Sequence, residues 1–97
     1  MTTTSAMEPK KWLWLHKEDN VAVSLSDFPK GSVVQIESSE IILRDSVDYG
    51  HKFAVKDIGE GEPIIKYAET IGVAGKNILA GEHVHVHNVK SLRARRQ

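Results

Sequence analysis

The chain has 97 residues, with 13 lysines and arginines balanced by 13 aspartates and glutamates, five histidines and no cysteine. That length holds one domain with short tails and a modest core, too little to wall off a deep active-site cavity by itself. Zero net charge argues against a dedicated nucleic-acid or membrane-surface binder. The missing cysteines exclude disulfide frameworks, Cys-type zinc sites and thiol nucleophiles. Hydrophobic content of 40% with 27% charged residues is globular. No run has signal-peptide or membrane-span length. The expectation is a soluble, cytoplasmic domain with neither nucleic acid nor membrane as partner.

Residues 1–11 (MTTTSAMEPKK) are Thr/Ser-rich without periodic apolar positions and read as a flexible leader. Residues 12–89 form the body. Its apolar residues fall in short runs: Trp12 to Leu15, Val21 to Leu25, Val33 to Ile36, Ile41 to Leu43, Phe53 to Val55, Ile64 to Tyr67, Ile71 to Ala74 and Val84 to Val86. Val and Ile dominate, and Gly, Pro, Asp or Asn separate the runs. No window keeps the spacing of an amphipathic helix. The pattern predicts an all-β domain of about seven or eight short strands. Residues 90–97 (KSLRARRQ) read as a solvated basic tail.

An internal repeat organises the body. Asp27 to Val34, Asp57 to Ile64 and Asn77 to Val84 align, and Val47-Asp48-Tyr49-Gly50-His51 is a degenerate fourth copy. Each copy is an apolar anchor (Phe28, Val47, Ile58 or Ile78), a turn closed by glycine, then a strand. The glycine suits a turn that needs positive φ. Ile64 to Ala74 reads as a hairpin turning at Ala68-Glu69, where Ala68 is an awkward turn residue and implies strain or a different turn type.

The segment His83-Val84-His85-Val86-His87-Asn88 holds three of the five histidines. On a strand the three would share one face while Val84 and Val86 face the core. Alternate residues lie roughly 6.5–7 Å apart and the outer pair about 13 Å, so two imidazoles would join a ligand from elsewhere on one Zn²⁺ or Fe²⁺ ion. The alternative is a solvent-facing polar strand. His51-Lys52 pairs a proton shuttle with an anion clamp, or is an ordinary strand start. Lys66 and Tyr67 offer a carboxylate partner and a hydroxyl, or one exposed and one half-buried strand residue. His16, Asp19 and Asn20 lie at the first turn, where Asp and Asn are common turn formers. Glu82 faces away from His83, and Asp57 and Glu62 serve turns.

These segments carry a resemblance. LHKEDNVAVSL (Leu15 to Leu25), GHKFAVKDI (Gly50 to Ile58), IIKYAETIG (Ile64 to Gly72) and GEHVHVHN (Gly81 to Asn88) together resemble the SAF domain of the altronate and galactarate dehydratase family. The resemblance runs collinearly from Trp14 to Val89 and is nearer to the altronate branch through its His-rich ending. It implies a β-clip fold and association with a large catalytic subunit. Together the two parts dehydrate a sugar acid to a 2-keto-3-deoxy acid with a divalent metal, Fe²⁺ first and Mn²⁺ or Zn²⁺ as alternatives. It places His83, His85 and His87 on the metal-binding ending and His51 and His85 in catalysis. His16, Asp19, Asn20, Lys52, Lys66 and Tyr67 fall on substrate-binding elements. Ala68 departs from the family's usual Gly. A related two-subunit lyase eliminates bisulfite from sulfolactate, which is one alternative function; a free-standing sugar-acid or metal-binding module is another. The resemblance implies no turnover by this chain alone and leaves homo-oligomerisation open.

Overall fold

The structure is a computed structural model and describes residues 11–91. The leader up to residue 10 and most of the basic tail lie outside the described residues. Nine strands and no helix make up the described chain: β1 (Trp12–Leu13), β2 (Val21–Ser24), β3 (Val33–Ile36), β4 (Ser39–Ile42), β5 (Lys52–Ala54), β6 (Pro63–Lys66), β7 (Glu69–Ala74), β8 (His83–Val84) and β9 (Val89–Lys90). The all-β architecture agrees with the sequence reading. The ninth strand is new: Val89 and Lys90 pair with Ala74 and Val73, so Lys90 is a ladder residue.

A four-stranded antiparallel sheet, in the order β1-β2-β5-β8, forms the middle layer. Side chains alternate along each strand, so the register assigns them to faces. Val21 opposite Ala54 and Lys52 opposite Val84 lie on one face; Ala22, Phe53 and His83 lie on the other. Both faces are covered. On the first, Val21, Ala54 and Val84 pack with Ile58, Ile64, Ala74 and Ile78, which the β6–β7 hairpin and two turns supply. On the second, Ala22 and Phe53 pack with Val34, Ile36, Ile41, Leu43 and Val47, largely from the β3–β4 hairpin. Trp12 and Trp14 lean on this second core, while Leu15 is exposed. A sheet buried on both sides explains why β2 reads as a continuous apolar run.

The repeat is the device that holds the layers together. Gly31, Gly50, Gly61 and Gly81 all have φ between 85° and 92°, the left-handed region expected of the turn. Each glycine N–H donates to the carbonyl of a strand-end residue: Leu43, Ser24, Ala74 and Ala54 respectively. The amides of those four residues donate back to the carbonyls of Ser32, His51, Glu62 and Glu82. The apolar anchors then dock in pairs, Phe28 with Val47 and Ile58 with Ile78, through reciprocal backbone bonds of 2.8 Å. Asp27 accepts from the Tyr49 amide, Asp57 from Ala80 and Asn77 from Glu60, so in three of the four units the first residue caps its partner's turn. Glu62 and Glu82 close their own turns on Gly59 and Leu79, as the sequence suggested for Glu62.

The β6–β7 hairpin forms, with a correction to its turn. Lys66 pairs with Glu69, so the two loop residues are Tyr67 and Ala68, with φ of 55° and 65°. Two successive positive φ values define a type I′ turn, which matches the twist of its strands and favours Asn-Gly. Ala68 therefore carries the strain that its identity implied. Replacing it with glycine removes a left-handed penalty of ~1–2 kcal/mol and returns part of that through a more flexible unfolded chain. Ala68→Gly is expected to raise stability by about 0.5–1 kcal/mol in urea denaturation.

Gly81 and Gly31 share φ +92° but differ in surroundings. A Cβ at Gly31 meets nothing within 4 Å, whereas one at Gly81 runs into the backbone carbonyl oxygen of Ile42. The Gly81 backbone is held on both sides, its N–H by Ala54 and its carbonyl by Arg44. Gly31→Ala is expected to cost only the backbone strain, ~1–2 kcal/mol. Gly81→Ala adds overpacking against fixed backbone, for a total of ~3–5 kcal/mol. Equal losses for the two variants in parallel denaturation curves would contradict this account.

Candidate functional site

The candidate site gathers where β5 begins and β8 ends. His51 follows Gly50 in the fourth turn unit, so its backbone is placed by the repeat. Its carbonyl accepts from the Ser24 amide at 2.8 Å, and the buried Ser24 hydroxyl lies 3.0 Å from the same oxygen and 2.7 Å from the Asp48 carbonyl. Phe53 faces His83 in the ladder, and continuing that register sets His51 opposite His85. The imidazoles of His51 and His85 stack accordingly, with centroids 4.1 Å apart and planes within 12°. His83 stacks with both, at 5.1 and 5.3 Å. His51 Nδ1 and His83 Nε2 are 2.9 Å apart and share one hydrogen bond.

The strand expected to carry all three terminal histidines stops at Val84. The chain then turns through His85, Val86 and His87. Val86, expected in the core, is 81% exposed. The reason is Asn88, which is buried and whose side chain bonds the backbone of His83 and His85, ending the ladder. His87 stays near, its ring 5.3 Å from that of His83. Among the described residues the three ligand nitrogens that lie within 4.8 Å of one another belong to His51, His83 and His85, with His87 outside the set.

The electrostatics favour the neutral form of His83 and His85. Partial burial lowers the pKa of His83, the positive charge that His51, His87 and His85 would carry lowers it further, and Asp45 opposes the shift. His85 is lowered by desolvation and then by His51, Lys52 and His87. A neutral imidazole offers a lone pair, the form in which histidine ligates a metal. Asp45 was not singled out from sequence: its carboxylate accepts from the His83 amide at 3.0 Å. Neither were Ser24 and Asn88, and all three act on backbone atoms.

Lys52 lies beside the histidines on the opposite face of β5. Burial depresses its pKa and the charge of Lys66 adds to this, so the two ammonium groups sense each other across the first core's rim. The Lys66 ammonium sits 4.9 Å from the centre of the Tyr67 ring. A shallow groove of about 340 Å³ opens here, lined by Lys52, Ile71, His85, Val86, Val89 and Ser91. A larger one of about 670 Å³ lies between β4 and the Ala80 turn and contains none of the histidines. The first joins a cation, Lys52, to an imidazole, His85.

His16, Asp19 and Asn20 sit apart from this group. His16 is exposed. Asn20 is buried and works as a surrogate strand residue, donating from Nδ2 to the Pro63 carbonyl and accepting at Oδ1 from Ile65. Asp19 is 1% exposed. Its Oδ1 accepts from the Ala68 amide at 2.8 Å, and its Oδ2 lies 3.3 and 3.4 Å from the amides of His16 and Leu15. The carboxylate therefore ties the first loop to the strained β6–β7 turn.

The fold and this cluster together define an all-β module that presents histidines and lysines at one end. The chain belongs to the altronate/galactarate dehydratase SAF domain family, whose model matches residues 10–92. Altronate dehydratase of Escherichia coli K12 is 43% identical over 81 residues, covering 84% of this chain and 16% of that protein. The Bacillus subtilis 168 altronate dehydratase is 40% identical over 82 residues with the same coverage. The (2R)-sulfolactate sulfo-lyase subunit alpha of Chromohalobacter salexigens is 49% identical over 51 residues, covering 53% of this chain and 54% of that subunit. The chain thus spans less than a fifth of the altronate dehydratases it matches. No helix among the described residues is long and apolar enough to cross a membrane.

Asp19 yields a pH prediction. Burial by itself would raise its pKa, but the amides of Ala68, Tyr67, His16 and Leu15 hold it below the ordinary carboxyl value of 3.8. A depressed folded pKa contributes stability above the unfolded value, and that contribution disappears as pH falls through the folded value. The stability gap between wild type and Asp19→Asn is therefore expected to be full above about pH 5 and to close below 3.8. At neutral pH the gap is on the order of 2–3 kcal/mol, from charge-assisted hydrogen bonds to buried amides. Urea titrations at a series of pH values check both the size and the sign.

Proposed function

We propose that this chain is the small SAF-domain component of a hydro-lyase that removes water from an altronate-like aldonate to give a 2-keto-3-deoxy acid, acting with a large catalytic subunit. The observation that carries the proposal is the match to altronate dehydratases over 84% of the chain, within a family whose model spans residues 10–92 and so every histidine and lysine of the site. Those relatives are mostly composed of protein outside the match, so the reading assigns the bulk of the reacting pocket to the partner. A small, shallow-grooved domain suits that division of labour.

Dehydration removes the proton α to the carboxylate and expels the neighbouring hydroxyl, and the resulting enol tautomerises to the 2-keto acid. In this reading His51, His83 and His85 hold a divalent metal, Fe²⁺ in the first place and Mn²⁺ or Zn²⁺ as substitutes. Their nitrogens are near enough to share one ion, and the depressed pKa values of His83 and His85 favour the ligating form of those two. Their planes are within 13° of parallel, so one ring must rotate for the lone pairs to converge. Bound there, the metal would supply Lewis-acid polarisation of substrate oxygen. A ligating imidazole has used its lone pair, so this reading moves proton transfer from His51 and His85 to the adjacent His87. Lys52, with Lys66 behind it, attracts the substrate carboxylate. Tyr67 shapes the Lys66 side of the rim. His16 is left as an outer substrate contact, and Asp19 and Asn20 support the site by fixing the loop and hairpin that frame it.

A second reading keeps α-proton removal and replaces hydroxide with bisulfite as the leaving group. It is favoured by the Paracoccus pantotrophus (2R)-sulfolactate sulfo-lyase subunit alpha, 94% of which is covered at 40% identity. A free-standing sugar-acid or metal-binding module is the third reading, and genes flanking this one that encode no large-subunit homologue would favour it.

The decisive assay combines the purified chain with its large subunit and supplies altronate and sulfolactate separately. The proposal expects 2-keto-3-deoxy acid from altronate, no bisulfite release, and no turnover by the 97-residue chain alone. His85→Ala is expected to lower the assembled activity about 10–100-fold. If calorimetry finds no binding of Fe²⁺, Mn²⁺ or Zn²⁺ and His85→Ala is fully active, the histidines are a polar surface only.

A further inference from the structure

Two adjacent histidines of the cluster, His83 and His85, occupy positions of very different kind. His83 is in the ladder opposite Phe53, whereas His85 has left it. What fixes the second relative to the first is Asn88. Its Oδ1 accepts from the His85 amide at 3.0 Å, and its Nδ2 donates to the His83 carbonyl at 2.9 Å. Its own amide donates to the His85 carbonyl at 3.1 Å, and its carbonyl accepts from Gly75 at 2.8 Å. The residue is 3% exposed. All four bonds go to backbone, three of them to His83 and His85 and one to the end of β7.

The consequence is geometric. A regular strand would carry His85 and His87 onward in steps of roughly 6.5–7 Å, with the outer rings too far apart to converge. The Asn88 clamp folds the chain back, so that His87 returns to 5.3 Å from His83, while His85, held at its amide and its carbonyl, keeps its stack 4.1 Å from His51. The Gly75 bond anchors the clamp to the sheet that carries β7, so the turn cannot drift with the surface. Asp45 holds the His83 amide from the other side. The His83 backbone is thus gripped at both its donor and its acceptor.

We propose that Asn88 is the positioning residue of the histidine site: without touching a ligand itself, it sets the separation of the His51, His83 and His85 nitrogens and so the affinity of that trio for a divalent cation. The cation part rests on the metal reading above; the positioning part does not.

The test uses the whole chain, Co²⁺ as probe, and a measurement that needs no metal. In the metal-free protein, NMR of ¹⁵N-labelled histidine reads the scalar coupling across the His51 Nδ1 to His83 Nε2 hydrogen bond. Calorimetry and the visible absorption of Co²⁺ then report affinity and ligand geometry. Asn88→Ala is expected to abolish the coupling, weaken Co²⁺ at least about tenfold and change the Co²⁺ spectrum. Asn77→Ala, which removes the amide side chain that caps Glu60 at a turn away from the cluster, is expected to keep coupling, affinity and spectrum. Should Asn88→Ala not fold, Asn88→Asp keeps the acceptor for His85 and loses only the donor to His83. It is expected to move the same readouts in the same direction by a smaller amount. Retained coupling with Co²⁺ affinity within about twofold of wild type, in whichever Asn88 variant folds, overturns the proposal. If the wild type binds no Co²⁺, the metal reading falls, and loss or retention of the coupling alone decides the role of Asn88.

Discussion

Phe53 and Ala54 are neighbours in a three-residue strand, yet they point into different cores. That split governs the rest of the molecule. A sheet with apolar side chains on both faces has to be covered twice, and each hairpin supplies one cover. Residues near the middle of the sheet must then be small where the covers approach closely, which fits Ala22 opposite Phe53 and Ala54 opposite Val21 in the ladder. The start of β5 and the start of β8 are only half-buried, and that is where His51, His83 and Lys52 come to the surface together. The site is located by what the two cores leave uncovered.

The turn units hold this arrangement with little material. Each places a glycine where L side chains are strained and ties the strand beside it through two backbone bonds, and three of the four lend their first residue to the partner's turn. Polar side chains that might have read as chemistry, such as Asp27, Asp57, Asn77, Glu62 and Glu82, are used up in this way. Asp19 and Asn20 follow the same logic at larger scale, with buried side-chain oxygens standing in for carbonyls. No buried side-chain nitrogen or oxygen among the described residues is left without a hydrogen-bond partner, as expected of a small core that has no spare stability to leave polar groups unsatisfied.

Much of this was legible in the sequence because it is encoded locally. Gly31, Gly50, Gly61 and Gly81 recur with their apolar anchors at fixed offsets, and Val/Ile runs between them mark strands. The β6–β7 turn was misplaced by one residue because Tyr67-Ala68 lacks the Asn-Gly chemistry that announces a type I′ turn. β9 was missed because two residues are too few for a pattern. At the site, alternation revealed His83 and His85, and the Gly50 turn drew attention to His51. That these belong together depends on the pairing of β5 with β8, which no spacing records. Ser24, Asp45 and Asn88 were invisible for a different reason: they act on backbone atoms, and nothing in a residue's type announces that. Val86 was assigned to the core because Asn88 was not recognised as the end of its strand.

The order of strands in the middle layer also sets an order of events. β2 and β5 are neighbours in the sheet, but the whole β3–β4 hairpin lies between them in the chain; the β6–β7 hairpin likewise separates β5 from β8. The hairpins close short loops and can form on a microsecond scale, whereas the central ladder joins segments about thirty residues apart and has to await them. His51 and His83 meet only when that last pairing is made. A ligand held across them therefore has no counterpart site in a half-folded chain, and its binding energy adds to the stability of the finished domain by mass action. A ligand held across the cluster would latch the fold as well as fill its proposed site.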